Sequence, residues 1–305
     1  MNSTQEIESP ILTEIIRHLM ITVSIFGVFS NLIILSVIST TKSMRNNHYF
    51  LIGHLAFNDC LESFIMSITL LTPTLKTFTG KVPQNVILGR IACSLKSQNA
   101  FFSTVRNSAL IITVISIERF TAVVYPIFYK QCFGKRTCFI LSCIPWIFSG
   151  TLFVIKDITS VNVVDSFCTQ DYTTSSSAYF GIINSIDYLV LQLVIPIFCY
   201  TCIAVKISAS GPRTSGSVKL KAKANITRML FIVTIIFMVT TFPDQVHFWF
   251  LTTIFKNPLW EFDSVYQKMT TLFVMVNVAV NFFAYAVMNS EFRSAAFRLL
   301  KCIHN

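Results

Sequence analysis

Charge is what this chain has least of. Only 12% of its 305 residues are Asp, Glu, Lys or Arg, while 53% are hydrophobic. Ordinary soluble domains carry about 25% charged residues, so a protein wetted on all sides is excluded. The patterns of hydrolytic catalysis are missing too: there is no GxSxG or HExxH, and the histidines at 18, 48, 54, 247 and 304 are scattered. No Cys/His cluster has metal-ligand spacing. The first residues, MNSTQEIESP, lack the basic segment that opens a cleavable signal peptide. No internal repeat relates the two halves and no charged pore row is present, which argues against a transporter or a channel.

What fills the chain instead is apolar sequence in blocks of about 20 residues, the thickness of a bilayer core. They run approximately 15–39, 49–72, 91–117, 138–155, 181–205, 227–254 and 266–288. The expected fold is an all-α membrane protein: a seven-helix transmembrane bundle over 15–290, an extracellular N-terminus over 1–14, and a short amphipathic cytoplasmic helix and tail over 291–305. Basic residues set the orientation. Lys42, Arg45, Lys130, Lys135, Arg136, Lys219, Lys221, Arg293, Arg298 and Lys301 fall on one side, which the positive-inside bias makes cytoplasmic. Asn2 then heads a glycosylation sequon (Asn2-Ser3-Thr4) on the outer end, in a plasma-membrane protein. The formal +10 charge reads as attraction to anionic lipid, not nucleic acid, because its residues sit in short loops.

With that topology only Cys93 and Cys168 face an oxidising space, which leaves one disulfide to form; two free thiols are the alternative. Polar residues inside the spans carry the functional reading, since each is costly in lipid. Asn31 stands in the first span. Asp59 and Glu62 share one face of the second. Asn277, Asn281 and Tyr285 follow at intervals of four in the seventh. Hydrogen-bonded glue between helices is the alternative for the amides and the tyrosine.

In order along the chain, Ser30-Asn31, Leu55-Ala56-Phe57-Asn58-Asp59, Glu118-Arg119-Phe120 with Pro126, Trp146, Pro196, Phe237 with Pro243, and Asn281-Phe282-Phe283-Ala284-Tyr285 each stand in the proper span. This series resembles the rhodopsin-like (class A) G-protein-coupled receptors over nearly the whole chain. Phe282, in place of the proline of NPxxY, is similar to FMRFamide-type neuropeptide receptors and some nematode serpentine chemoreceptors. Other positions depart from the family. Thr240-Thr241-Phe242-Pro243 lacks its tryptophan, Ala204 stands where a tyrosine is common, Cys93 sits one residue further from Arg119 than usual, and Lys223 replaces an acid.

The resemblance implies a receptor that passes an extracellular signal to a heterotrimeric G protein and has no enzymatic step. Glu118, with Thr227, would hold Arg119 until the sixth span swings about Pro243, with Phe237, Asn281 and Tyr285 as the activation core. Asp59, Asn31, Ser108, Asn277 and Asn281 would form a sodium site; no other cofactor is expected. The outer half offers Glu62, Phe101, Phe102, Val105, Arg106, Asp244, His247 and Phe248 to a ligand. With phenylalanine at 101 and 102, where amine receptors carry aspartate, a cationic aromatic peptide end fits better than a monoamine. An environmental small molecule is the alternative ligand. Equally, Arg106 pairing with Asp187 or Asp244 would leave the pocket nearly neutral.

Overall fold

Without water in the hydrocarbon, backbone groups must be satisfied within the segment, and for blocks this apolar the helix achieves that. The computed structural model describes residues 10–71, 87–89, 92–93, 99–164, 167–170, 182–183, 185–209, 218–249 and 265–304. Helices α1 (Pro10–Thr40), α2 (Asn47–Leu71) and α3 (Asn99–Val124) are followed by a short α4 (Pro126–Cys132) and by α5 (Lys135–Ser160). A hairpin of β1 (Val161–Val164) and β2 (Phe167–Gln170) comes next. Then a π-helical stretch (Asp187–Val194) runs directly into α6 (Ile195–Ala209), ahead of α7 (Val218–Trp249), α8 (Val265–Met288) and α9 (Ser290–His304).

Six of the described helices are long and apolar enough to cross a membrane. The remaining span is α2, with 25 residues. At about 1.5 Å per residue it has the length, but Asn58, Asp59, Glu62 and Ser63 dilute its hydropathy, and all four are buried in the bundle. One apolar cluster, built on Ile34, Leu55, Ile112, Met229, Phe237 and Tyr285, fills the half of the bundle at the C-terminal end of α3, which is called the inner half below. A smaller one around Met20, Met66, Phe101 and Met275 fills the outer half.

Several boundaries differ from the sequence expectation. Hydropathy marks the lipid-facing part of a helix, and the helix itself runs on. Thus α1 begins at Pro10, inside the segment assigned to the N-terminus, and α7 begins at Val218. The third span, expected over 91–117, continues as α3 to Val124, so Glu118 and Arg119 lie within the helix and not at its end. The chain turns at Tyr125, and Pro126 starts α4 from the N1 position, where its missing N–H costs nothing. A short hairpin is added to the helical bundle: β-branched Val161, Val163 and Val164 pair antiparallel with Phe167–Gln170, and Cys168 lies opposite Val163. Phe282 leaves α8 an unbroken helix where a proline would have bent it. Asn289 then ends the span and caps α9, its Oδ1 accepting from the N–H groups of Glu291 and Phe292, both at 3.1 Å.

Gly27 sets the closest approach of α1 to α2. A Cβ there would lie 2.3 Å from Ser63 Oγ and 3.1 Å from Ser63 Cβ. Alanine is the better helix former by about 1 kcal/mol, so propensity alone predicts that Gly27→Ala stabilises. The packing predicts the reverse, a loss of roughly 1–3 kcal/mol from overpacking. Thermal unfolding of the purified protein decides by the sign of the shift, and Ser63→Ala should return part of the loss.

Candidate functional site

Several polar clusters lie inside the bundle among the described residues. The first is centred on Asp59, which is fully buried. Its Oδ1 accepts from Ser108 Oγ of α3 at 2.8 Å, and its Oδ2 accepts from Asn281 Nδ2 of α8 at 2.7 Å. Asn58, its neighbour, donates to Ser108 Oγ at 2.6 Å and to the Thr104 carbonyl at 2.9 Å, and accepts from Asn107 at 2.7 Å. Three helices are therefore tied through one carboxylate. Asn31 is not a direct partner: its Nδ2 donates to the carbonyls of Gly27 (2.9 Å) and Val278 (3.4 Å). The side-chain oxygens of Asn31 and Asn277 are buried with no hydrogen-bond partner among the described residues. A hard cation takes oxygen ligands, so a carboxylate, a hydroxyl and two orphaned amide oxygens form a donor set that suits one.

The second cluster is at the inner end of α3. Arg119 donates from Nε and Nη2 to the two oxygens of Glu118, each at 2.5 Å. Glu118 is wholly buried and Arg119 nearly so. Tyr129 of α4 donates to Glu118 Oε1 at 2.5 Å. Burial, and then the charge of Glu118, push the Tyr129 hydroxyl above its usual range, so it remains a donor. Thr227, expected to assist this pair, is buried on α7 but its hydroxyl has no partner among the described residues. The pair lies within one helix, and what it reaches is α4, not α7.

In the outer half Arg106 makes one of the two pairings that the sequence left open. Its Nε donates to Asp187 Oδ2 at 2.9 Å, across from α3 to the π-helical stretch. Thr113, two turns further along α3, donates to the Leu191 carbonyl of the same stretch at 2.6 Å and so satisfies part of its irregular backbone. Asp244 is buried and accepts from Gln267 (3.3 Å) and Thr270 (3.4 Å) of α8. Glu62, Phe101 and Val105 are buried, and Phe101 meets Phe102 edge-on at 5.2 Å. His247 and Phe248 lie near the end of α7, with side chains outside the described residues. Asn2 is outside them as well. Cys93 is disulfide-bonded, whereas the side chain of Cys168 is not described.

Pro243 is inside α7, where Thr240 and Thr241 back-bond to the preceding turn and Tyr188 donates to the Met238 carbonyl at 3.3 Å. Phe237 is buried below it. Tyr285 is buried, and its hydroxyl has no hydrogen-bond partner among the described residues.

Residues 30–285 match the family described as 7 transmembrane receptor (rhodopsin family). The chain belongs to that family. The receptor is 24% identical over 294 residues to neuropeptide Y receptor type 2 of Homo sapiens, covering 91% of this chain and 74% of that one. Against the Cavia porcellus protein of the same name it is 24% identical over 315 residues, 97% and 79% of the two chains. To rhodopsin of Oryzias latipes it is 26% identical over 231 residues, 72% and 63%.

Sequence reasoning missed several of the receptor's polar contacts. Tyr129 sits in a loop helix that hydropathy does not reveal. Tyr49 donates to Glu291 Oε2 at 3.1 Å and accepts from Asn289 at 2.8 Å, anchoring α9 to α2 through residues far apart in sequence. His54 accepts from the Trp146 indole at 2.6 Å, which gives that tryptophan its place against α2.

The Arg106–Asp187 contact has a testable cost. Asp187→Asn leaves a buried guanidinium without its counter-charge, and Arg106→Gln leaves the carboxylate; each should lose about 3–5 kcal/mol. The double variant should recover most of it. Thermal unfolding of the purified receptor in micelles measures all four, and a double variant no better than the singles would show that the charges do not act as a pair.

Proposed function

We propose that the receptor carries an extracellular neuropeptide signal across the plasma membrane to a heterotrimeric G protein, with its N-terminus outside and its tail in the cytosol. The observation that carries this reading is the buried Glu118–Arg119 pair at the inner end of α3, capped by Tyr129 of α4. A rigid scaffold has no need of an arginine kept out of water and neutralised at the membrane's inner edge. A receptor that must present it on demand does. The neuropeptide class follows from the names of the similar receptors, and Glu62 and Asp244 among aromatic walls suit a cationic peptide end. A ligand screen of amidated peptides against small-molecule libraries separates this ligand class from a chemosensory one. No catalytic step is assigned.

The same reading gives the pair a direction. Arg119→Ala should abolish agonist-stimulated nucleotide exchange while leaving surface expression and ligand binding intact. Glu118→Gln and Tyr129→Phe each weaken the resting arrangement. If about 1 kcal/mol of that is lost on activation, basal exchange rises roughly fivefold. Exchange that stays flat for every G-protein class, with both variants normally expressed, would refute the coupling.

The Asp59 cluster fits a sodium ion in the resting state. Asp59, Ser108 and the amide oxygens of Asn31 and Asn277 would hold it, while Asn281 steadies the carboxylate; the ion supplies only positive charge. Sodium should then lower agonist affinity, and Asp59→Asn should raise affinity and remove the salt effect. Radioligand binding in sodium against a bulky organic cation measures this, and sodium-insensitive binding by the wild type would remove the ion from the mechanism.

A further inference from the structure

At the inner end of α2 and α5 basic side chains gather that no acid answers. Lys42 and Arg45 stand in the link from α1 to α2, on a single 3-10 turn that Arg45 closes by donating its N–H to the Lys42 carbonyl at 3.3 Å. Lys130 lies on α4, and Lys135 and Arg136 open α5. All of these side chains are exposed, and none forms an ion pair among the described residues. Residues 41–46 and 125–140 contain no Asp or Glu. Glu118, buried behind α4, is already taken by Arg119 and Tyr129.

One hydrogen bond joins the two segments. Asn47 Nδ2 donates to the Phe133 carbonyl at 2.6 Å, across 86 positions of sequence. Arg45 comes two residues before Asn47, and Lys135 and Arg136 follow Phe133 by two and three, so the basic residues flank one corner. Tyr129 stacks on Phe133 at 5.1 Å and holds that corner from the side of α4. Exposed charges are ordinarily satisfied by water, but here the neighbouring surface is apolar. From Arg136 the helix α5 runs directly to exposed Phe139 and Ile140, and from Asn47 the helix α2 runs to exposed Phe50 and Phe57. The Trp146 indole donates to His54 at 2.6 Å and joins the two helices along this face. Helix surfaces of that kind meet acyl chains, which puts the basic corner at the level of the headgroups.

We propose that Arg45, Lys135 and Arg136, with Lys42 and Lys130 at the rim, bind the headgroup of a phosphoinositide whose chains lie along the α2–α5 face. Guanidinium groups match phosphate oxygens in bidentate geometry, and several phosphates on one headgroup match several cations on one corner. A singly charged lipid such as phosphatidylserine satisfies only part of that set. Placing the lipid in the cytoplasmic leaflet rests on the orientation proposed above, whereas the corner itself does not.

The test uses the full-length receptor purified in micelles, where both ends are open to solvent and the outcome is independent of orientation. Dioctanoyl phosphatidylinositol bisphosphate is the probe, and native mass spectrometry counts what is bound. The expected result is a single lipid per receptor, displaced neither by an equal concentration of dioctanoyl phosphatidylserine nor by inositol trisphosphate, a phosphorylated inositol without chains. Arg45→Gln combined with Lys135→Gln should weaken binding about tenfold. Arg298→Gln combined with Lys301→Gln removes the same charge from α9 and should change it little. No bound lipid, equal competition by phosphatidylserine, or equal weakening by both double variants would each overturn the proposal. Displacement by inositol trisphosphate would overturn it too, by assigning the corner to a soluble phosphate. The wild-type competition decides on its own should a variant fail to fold.

Discussion

A carboxylate placed in hydrocarbon has no water to turn to, and the architecture around Asp59 is a response to that one demand. Insertion scales put the cost of an unpaired aspartate at about 2.5–3.5 kcal/mol. The bundle answers with a hydroxyl from α3 and an amide from α8, so the group that is hardest to bury becomes the group that fixes three helices against one another. Asn58 extends the tie by two further bonds to α3 and a third from Asn107. Lipid gives helices little hydrophobic reason to associate, which leaves such contacts and close packing to set their register. The tight contact of Gly27 with Ser63 is the packing half of the same answer.

Much of this was legible because membranes make sequence patterns severe. Apolar blocks locate spans, basic loops orient them, and a polar residue inside a block must point inward. It was the family resemblance that drew Asp59, Ser108 and Asn281 together, and hydrogen bonds join the three. Where reading failed, the contact was between groups whose pairing no periodicity encodes. Arg106 could reach an acid on either of two helices, and only the three-dimensional path of the π-helical stretch brings Asp187 within 2.9 Å. Thr227 is at a sensible height on α7, yet its hydroxyl finds no partner among the described residues, and Arg119 turns its Nε and Nη2 to Glu118 instead. Tyr129 and Tyr49 act from a loop helix and from the end of a span, where hydropathy is silent.

The two arginines illustrate how differently a buried pair can work. Arg106 and Asp187 belong to separate segments, so their attraction holds α3 to the start of the fifth span and resists any motion that parts them. Their low-dielectric surroundings strengthen the attraction but also raise the cost of desolvation. Registry is the natural use of such a pair. Since the contact is made by Nε alone, it constrains distance more than it constrains the tilt of either segment.

Glu118 and Arg119 are adjacent on one helix, and that changes what they can hold. Their bidentate contact moves with α3 as a body and cannot by itself keep α7 in place. The inner half of α7 meets the core through Met229, Leu230, Val233 and Phe237, which are apolar and non-directional. An apolar contact of that kind can slide or separate without leaving a charge stranded, whereas a salt bridge between α3 and α7 could not. Any displacement of the inner half of α7 would thus be opposed mainly by buried area. The arginine is restrained separately, by Glu118 and, through Tyr129, by the loop helix that follows α3. In this chain α7 and the Arg119 charge, the two parts of the inner end, are secured by different kinds of interaction. A partner that draws α4 away from α3 would loosen the second without touching the first.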